Sequence, residues 1–108
     1  MIQIEEISAK KAAKLLKENP GLVVVDTRMQ MEFEKGHLPN AILIDFYEAD
    51  FAQQVAKLPR GSEVLLYCRS GIRTFESLTI FEKLGFKKVY HLTYGILEWK
   101  REGFPLVK

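Results

Sequence analysis

Short apolar runs alternate along this chain with stretches of helical periodicity, and this alternation constrains the fold more than any other feature. The clearest runs span residues 22–26 and 63–67, which are apolar at nearly every position. Such a run is typical of a parallel strand that is buried on both faces. Parallel strands need crossover connections, and the stretches between the runs have the periodicity of amphipathic helices. The sequence therefore predicts an α/β domain with a mainly parallel central sheet and helices on both faces.

Capping and turn residues set the expected limits of each element. We predict strands near residues 2–4, 22–26, 41–44, 63–67 and 89–91. We predict helices over residues 9–17, with Ser8 as N-cap, then 30–35, 51–58, a segment ending before Gly85, and 94–102. The helix before Gly85 is expected to place Phe75, Leu78, Phe81 and Leu84 on its inner face.

The size and charge of the chain exclude several classes of protein. With 108 residues we expect one domain that spans residues 1–108. The formal net charge of +2 comes from scattered residues, so we expect no nucleic-acid partner. The longest apolar stretches are far shorter than the roughly 20 residues of a membrane span. The first residues resemble no secretory signal, and a cytoplasmic location is expected.

Cys68 is the only cysteine, and it lies between a predicted buried strand and the next helix. In an open parallel sheet, ligands bind outside the carboxyl ends of the strands. The N–H groups of a tight loop and the start of a helix favour an anion at such a place, and Arg69 and Arg73 add positive charge. A thiol there is expected to ionise readily, and the thiolate is the nucleophilic form. The alternative is a buried structural cysteine, but such a residue does not need Ser70, Gly71 and two arginines beside it.

Three groups of motifs follow one another along the chain: Asp26-Thr27-Arg28 with Glu32-Phe33 and Gly36-His37-Leu38-Pro39-Asn40-Ala41, then Cys68-Arg69-Ser70-Gly71-Ile72-Arg73, then Leu92-Thr93-Tyr94-Gly95-Ile96-Leu97-Glu98-Trp99. In this order they resemble the signature segments of rhodanese-type sulfurtransferases, in which a cysteine opens a six-residue loop that an arginine closes. The resemblance covers almost the whole chain. It implies the three-layer rhodanese fold, with a five-stranded sheet between layers of helices.

The resemblance also implies a thiosulfate sulfurtransferase mechanism. Cys68 would attack the outer sulfur of thiosulfate, sulfite would leave, and a Cys68 persulfide would pass its sulfur to a second nucleophile. The loop N–H groups from Arg69 through Ser70, Gly71 and Ile72 to Arg73 would hold the persulfide. Arg69 is the better candidate to meet an anionic donor, and Arg73 to brace the loop.

Three further residues are interpreted as structural support of this site. Asp26 is expected to accept N–H groups of neighbouring loops, and Arg28 to pair with Glu32 four residues later. His37 is expected to fix its own loop and not to act as a base. Tyr94 and Trp99 are expected to pack, with Tyr94 possible at the border of a pocket. We expect no metal, because one cysteine and two separated histidines match no zinc spacing, and no dissociable cofactor.

Competing functions stay open at this point. The related dual-specificity phosphatases place five residues between cysteine and arginine, whereas four intervene here, so phosphatase activity is disfavoured. Two further hypotheses are a non-catalytic partner-binding module and a peroxide-sensing thiol on an exposed Cys68. Tyr94 replaces the first glycine of the family's Gly-Gly pair, and Ile72 makes the mouth of the site less cationic. The sulfur donor could therefore be thiosulfate, an organic persulfide or a partner protein. The acceptor could be cyanide, a thioredoxin-like dithiol or a sulfur-relay protein.

Overall fold

The computed structural model describes residues 2–108 as five strands and five helices that alternate along the chain. In chain order these elements are β1 (Gln3–Ile7), α1 (Ala9–Glu18), β2 (Val23–Asp26), α2 (Gln30–Glu34), β3 (Ile42–Leu43), α3 (Phe51–Ala56), β4 (Val64–Tyr67), α4 (Ile72–Lys83), β5 (Lys88–Leu92) and α5 (Gly95–Arg101). The strands form one sheet in the order β1-β5-β4-β2-β3, and every neighbouring pair is parallel. The predicted fold class is confirmed.

Successive side chains of the central strands point to opposite faces of the sheet, and each face is covered by helices. Leu65 and Tyr67 pack with residues of α1 and α5, including the buried Trp99. Val64 and Leu66 pack with residues of α3 and α4. All four residues of β4 are buried, which explains why the strand shows no polar alternation in the sequence. The sheet therefore lies between two helical layers.

Several predicted boundaries differ from those of the structure. Strand β1 runs to Ile7 and not to Ile4, because its whole length pairs with β5 at the edge of the sheet. Strand β3 contains only two residues, since only these pair with β2. The prediction that Phe75 lies on the inner face of α4 is wrong: its side chain is exposed, and the inner face carries Thr74, Ser77, Leu78 and Phe81.

The register of the sheet brings the ends of three strands to one edge. Asp26, the last residue of β2, pairs with Tyr67, the last residue of β4. On the other side of β4, Leu66 pairs with His91 of β5. The residues at the carboxyl ends of these strands therefore lie at one edge of the sheet. Ligands bind at this edge in open parallel sheets. None of the helices described within residues 2–108 is long and apolar enough to cross a membrane.

Candidate active site

The six residues 68–73 form a tight loop that follows β4, and its last two residues, Ile72 and Arg73, begin α4. Gly71 has φ 99°, a left-handed conformation that favours glycine, and it is the N-cap of α4. This turn brings the Gly71 N–H to 3.1 Å from the Cys68 Sγ, to which it donates a hydrogen bond. The sulfur thus lies under the first turn of a helix of 12 residues. Both the N–H donor and the helix dipole stabilise negative charge on this sulfur.

Cys68 itself is buried, with 1% of its surface exposed. The peroxide-sensor hypothesis assumed that Cys68 is exposed, and this expectation is therefore wrong. The residue is covered because it directly follows the fully buried strand β4 and lies beneath the loop that it opens.

The start of α5 holds the backbone of the loop from the other side. The N–H of Ile96 donates to the carbonyl oxygen of Cys68 at 2.9 Å, and that of Leu97 to the carbonyl oxygen of Arg69 at 3.2 Å. Gly95 has φ 63° and lies so close that a Cβ would overlap the carbonyl oxygen of Arg69. Tyr94 has an ordinary φ of −105°, so the replacement of glycine at this position introduces no backbone strain. The expectation that the Tyr94 side chain packs is wrong, because it is exposed beside the loop.

Arg73, at the end of the loop, is anchored by a carboxylate of α2. Its Nη1 and Nη2 donate to Oε1 and Oε2 of Glu32 at 2.8 and 3.1 Å. The hydrogen bonds from Arg73 lower the pKa of Glu32 to about 2, and those to Glu32 raise the pKa of Arg73. A paired fork of this kind fixes the arginine in direction as well as in charge.

Asp26 and Arg28 form a separate, buried ion pair. Arg28 Nη2 donates to Asp26 Oδ2 at 2.7 Å and to the carbonyl oxygen of Gly36 at 2.7 Å. The predicted pairing of Arg28 with Glu32 is therefore wrong, because Glu32 is paired with the loop arginine. Asp26 accepts the N–H of Arg28, two residues along its own loop, and not N–H groups of a neighbouring loop. The pair ties the end of β2 to the residue that precedes His37.

The remaining predicted residues occupy distinct places. His37 stacks on Phe33 with ring centroids 3.8 Å apart, and its backbone bridges to Val107. Trp99 is buried and donates to the carbonyl oxygen of Pro105. Three loop side chains point to solvent: those of Arg69, Ser70 and Ile72. The structure thus gathers the loop residues around Cys68, while His37 belongs to a neighbouring connection.

Depressions border the loop on both sides, and two of them differ in polarity. A groove of about 570 Å³ is lined by Ser70, Gly71 and Ile72 and by the exposed rings of Phe75 and Tyr94. A smaller hollow of about 170 Å³ lies on the other side, and its charged lining residues are Arg69, Arg28, Lys35, Lys100 and the carboxylate Glu32. One flank of the loop is therefore mostly apolar and the other mostly cationic.

Sequence reasoning missed a chain of polar side chains behind Cys68. Thr74 Oγ1 lies 3.5 Å from Cys68 Sγ and 2.6 Å from His91 Nε2, and His91 Nδ1 lies 2.8 Å from Glu6 Oε1. These residues come from α4, β5 and β1, which are distant in sequence. The available signal was weak: a histidine near the carboxyl end of a predicted strand.

Comparisons with known proteins agree with this geometry. The model of the rhodanese-like domain matches residues 8–102. A sulfurtransferase of Allochromatium vinosum is 27% identical over 96% of this chain and 95% of its own length. A probable adenylyltransferase/sulfurtransferase MoeZ of Mycobacterium tuberculosis is 33% identical over 78% of the chain, which matches only 21% of that longer protein. A tRNA uridine(34) hydroxylase of Cronobacter sakazakii is 32% identical over 89% of the chain and 30% of its own length.

Solved structures show the same fold. A rhodanese-related protein from Thermoplasma volcanium superposes with a TM-score of 0.83 at 24% identity, over 95% of this chain and 97% of the other. The rhodanese-like domain of Anabaena protein Alr3790 gives a TM-score of 0.83 at 20% identity, over 94% and 77%. The cysteine-first loop, the parallel five-stranded sheet and the family match agree, and the chain belongs to the rhodanese-like domain family.

Proposed function

We propose that this chain is a sulfurtransferase that carries sulfane sulfur as a persulfide on Cys68. The observation that supports this most directly is the hydrogen bond from the Gly71 N–H to the Cys68 Sγ at the start of α4. This arrangement stabilises a sulfur anion and needs no metal or dissociable cofactor. The sulfurtransferase from Allochromatium vinosum, which matches over nearly its whole length, supports the same reaction class.

The reaction is a double displacement at sulfur. The Cys68 thiolate attacks the outer sulfur of the donor, a new S–S bond forms, and the donor's own bond to that sulfur breaks. The bonding pair leaves with the remainder of the donor, as sulfite from thiosulfate or as a thiolate from an organic persulfide. A second nucleophile then attacks the outer sulfur of the Cys68 persulfide, and the Cys68 thiolate is restored.

The loop residues are proposed to act in distinct ways. The backbone from Arg69 to Arg73 surrounds the persulfide, while Gly71 supplies the N–H nearest to Sγ. Arg69, exposed in the basic hollow, meets an anionic donor. Arg73 braces the loop through Glu32. Asp26 with Arg28, and His37 with its stacked ring, hold the connection that supplies Glu32.

An organic persulfide or a partner protein fits the site better than thiosulfate as the natural donor. The groove that adjoins the loop presents Ile72, Phe75 and Tyr94, each more than 60% exposed. An apolar body of a donor or acceptor gains free energy by covering these side chains, and thiosulfate has no such body. A sulfur-relay protein in the cytoplasm is the partner proposed here, and the adenylyltransferase/sulfurtransferase relative is consistent with it.

Intact-protein mass spectrometry tests the proposal. The chain is treated separately with thiosulfate and with glutathione persulfide, beside the variant Cys68→Ser. We expect a gain of about 32 Da, one sulfur atom, that cyanide removes and that the variant lacks. Unchanged mass with both donors in a folded protein would refute sulfur transfer and favour a partner-binding module. A gain of oxygen with peroxide, without any gain from sulfur donors, would favour the peroxide sensor.

A further inference from the structure

The polar residues behind Cys68 form a continuous hydrogen-bonded chain that the sulfur chemistry described above does not use. We infer that Thr74, His91 and Glu6 form a proton relay that takes the proton of the Cys68 thiol into the protein and returns it. The inference deepens the proposed function, because it concerns the ionisation of the same thiol. It assigns Thr74 as the group in contact with the sulfur, and His91 and Glu6 as positioning residues.

The direction of each hydrogen bond follows from what its atoms can donate. Glu6 Oε1 is a carboxylate oxygen that also receives the hydroxyl of Thr93 at 2.8 Å, and it can only accept. The proton between it and His91 therefore resides on His91 Nδ1. In the neutral ring Nε2 is then a bare acceptor, and the Thr74 hydroxyl donates to it across 2.6 Å.

With this tautomer the Thr74 hydroxyl donates to His91, and its oxygen can accept a hydrogen bond from the Cys68 thiol. Cys68 Sγ lies 3.5 Å from this oxygen, which is within the range of an S–H donor. The resulting order is Cys68 S–H to Thr74 O–H to His91 Nε2. A carbonyl oxygen, that of Gly71, lies 3.1 Å from the same hydroxyl and offers it a second, longer acceptor.

Proton transfer along this chain is balanced. The thiol proton moves to Thr74 Oγ1 while the hydroxyl's own proton moves to His91 Nε2. The products are the Cys68 thiolate and a His91 imidazolium, and Thr74 is unchanged. Its hydroxyl now accepts from the imidazolium and donates to the thiolate, so the hydrogen bonds reverse without breaking the chain.

The charged groups around the chain favour the charged pair of products. Glu6 of β1 contacts the ring, and Glu76 of α4 lines the same groove as His91. Arg73 contributes positive charge close to Cys68. Carboxylates stabilise the imidazolium, and the arginine with the Gly71 N–H stabilises the thiolate. Thr74 and His91 are 0% and 2% exposed, whereas the Glu6 carboxylate at the far end of the chain is half exposed and lines the groove.

Alkylation of Cys68 measures its ionisation without any sulfur donor. As the only cysteine, it is the sole thiol that iodoacetamide can modify, and intact mass follows the rate between about pH 5 and pH 9. We expect Thr74→Val and His91→Gln to slow alkylation near neutral pH about tenfold, because neither variant can take up the thiol proton through the relay. Thr74→Ser keeps the hydroxyl and should restore the alkylation rate that Thr74→Val loses. Thr79→Val, on the exposed face of α4, is the matched control.

A second measurement does not depend on the folding of these variants. The chain has two histidines, so the ring resonances of His91 and His37 are separable by NMR. In Cys68→Ser we expect the pH titration of His91 to shift and that of His37 to stay. An unshifted His91, or equal alkylation profiles for folded His91→Gln and the unchanged chain, would overturn the relay. Loss of persulfide formation with an intact relay would refute the proposed function alone.

Discussion

Replacing Glu32 by glutamine tests how strongly the end of the active-site loop is anchored. The carboxylate of Glu32 holds the guanidinium of Arg73 through two hydrogen bonds, and its pKa falls from 4.5 to about 2. At about 1.4 kcal/mol per pKa unit, the ionised pair contributes at most about 3.5 kcal/mol to the free energy of unfolding. The two side chains keep 14% and 22% exposure, so solvent screening reduces this, and we expect Glu32→Gln to cost about 1 to 3 kcal/mol.

The sign of the pH dependence follows from the direction of the shift. The folded chain lowers the pKa of Glu32, so folding favours the ionised carboxylate. The stabilisation is complete above the unfolded value of 4.5, and it is lost as the pH falls from there towards 2. The difference in stability between the unchanged chain and Glu32→Gln should therefore be constant near neutral pH and shrink in the acid range.

Urea denaturation measured by tryptophan fluorescence supplies both quantities, because Trp99 is the only tryptophan and is buried. The matched control is Glu34→Gln on the same helix, where the carboxylate is exposed and accepts only from Gln30. We expect the control to change stability by less than about 0.5 kcal/mol. Equal stabilities of Glu32→Gln and Glu34→Gln at neutral pH, or a difference that grows on acidification, would contradict the reasoning.

Three further substitutions test the loop, its support and the groove. Gly95→Ala should destabilise the chain and slow sulfur transfer much more than Gly85→Ala, because both positions have positive φ but only at Gly95 does a Cβ overlap the loop backbone. The two variants are compared by their urea midpoints and their sulfur-transfer rates. Asp26→Asn should lower the free energy of unfolding by about 3 kcal/mol or more, because it leaves the buried Arg28 charge unpaired; a smaller loss in urea would show that the pair is not critical. Phe75→Ala should raise KM for glutathione persulfide and leave KM for thiosulfate unchanged; equal effects on both would count against the groove as a docking site.

The sequence was sufficient for features that depend on local pattern. Unbroken apolar runs predicted buried parallel strands such as β4. The position of Cys68 between a buried strand and a helix was likewise a local inference, and the structure confirms it. Ser8 was correctly identified as an N-cap, since its hydroxyl accepts from the N–H of Lys11.

The errors arose where tertiary contacts outweigh local spacing. Arg28 and Glu32 have the spacing of a helical ion pair, but Asp26 binds Arg28 and leaves Glu32 to Arg73, 41 residues away. Phe75 fits a helical apolar face, yet it lies at the groove beside the loop. The contact of His91 with Glu6 depends on the pairing of β1 with β5, and this order of strands has no signal in local periodicity.

In the proposed function, the loop separates the chemistry at sulfur from the recognition of the donor. Its backbone is fixed from two sides, by α5 through the carbonyl oxygens of Cys68 and Arg69 and by α2 through Arg73. A loop held in this way presents its N–H groups without reorganisation when charge develops on sulfur. Ser70 and Ile72 point to solvent, so their side chains can change without disturbing these contacts. Variation at such positions, together with Tyr94, should therefore alter which donor binds while the thiolate chemistry stays the same.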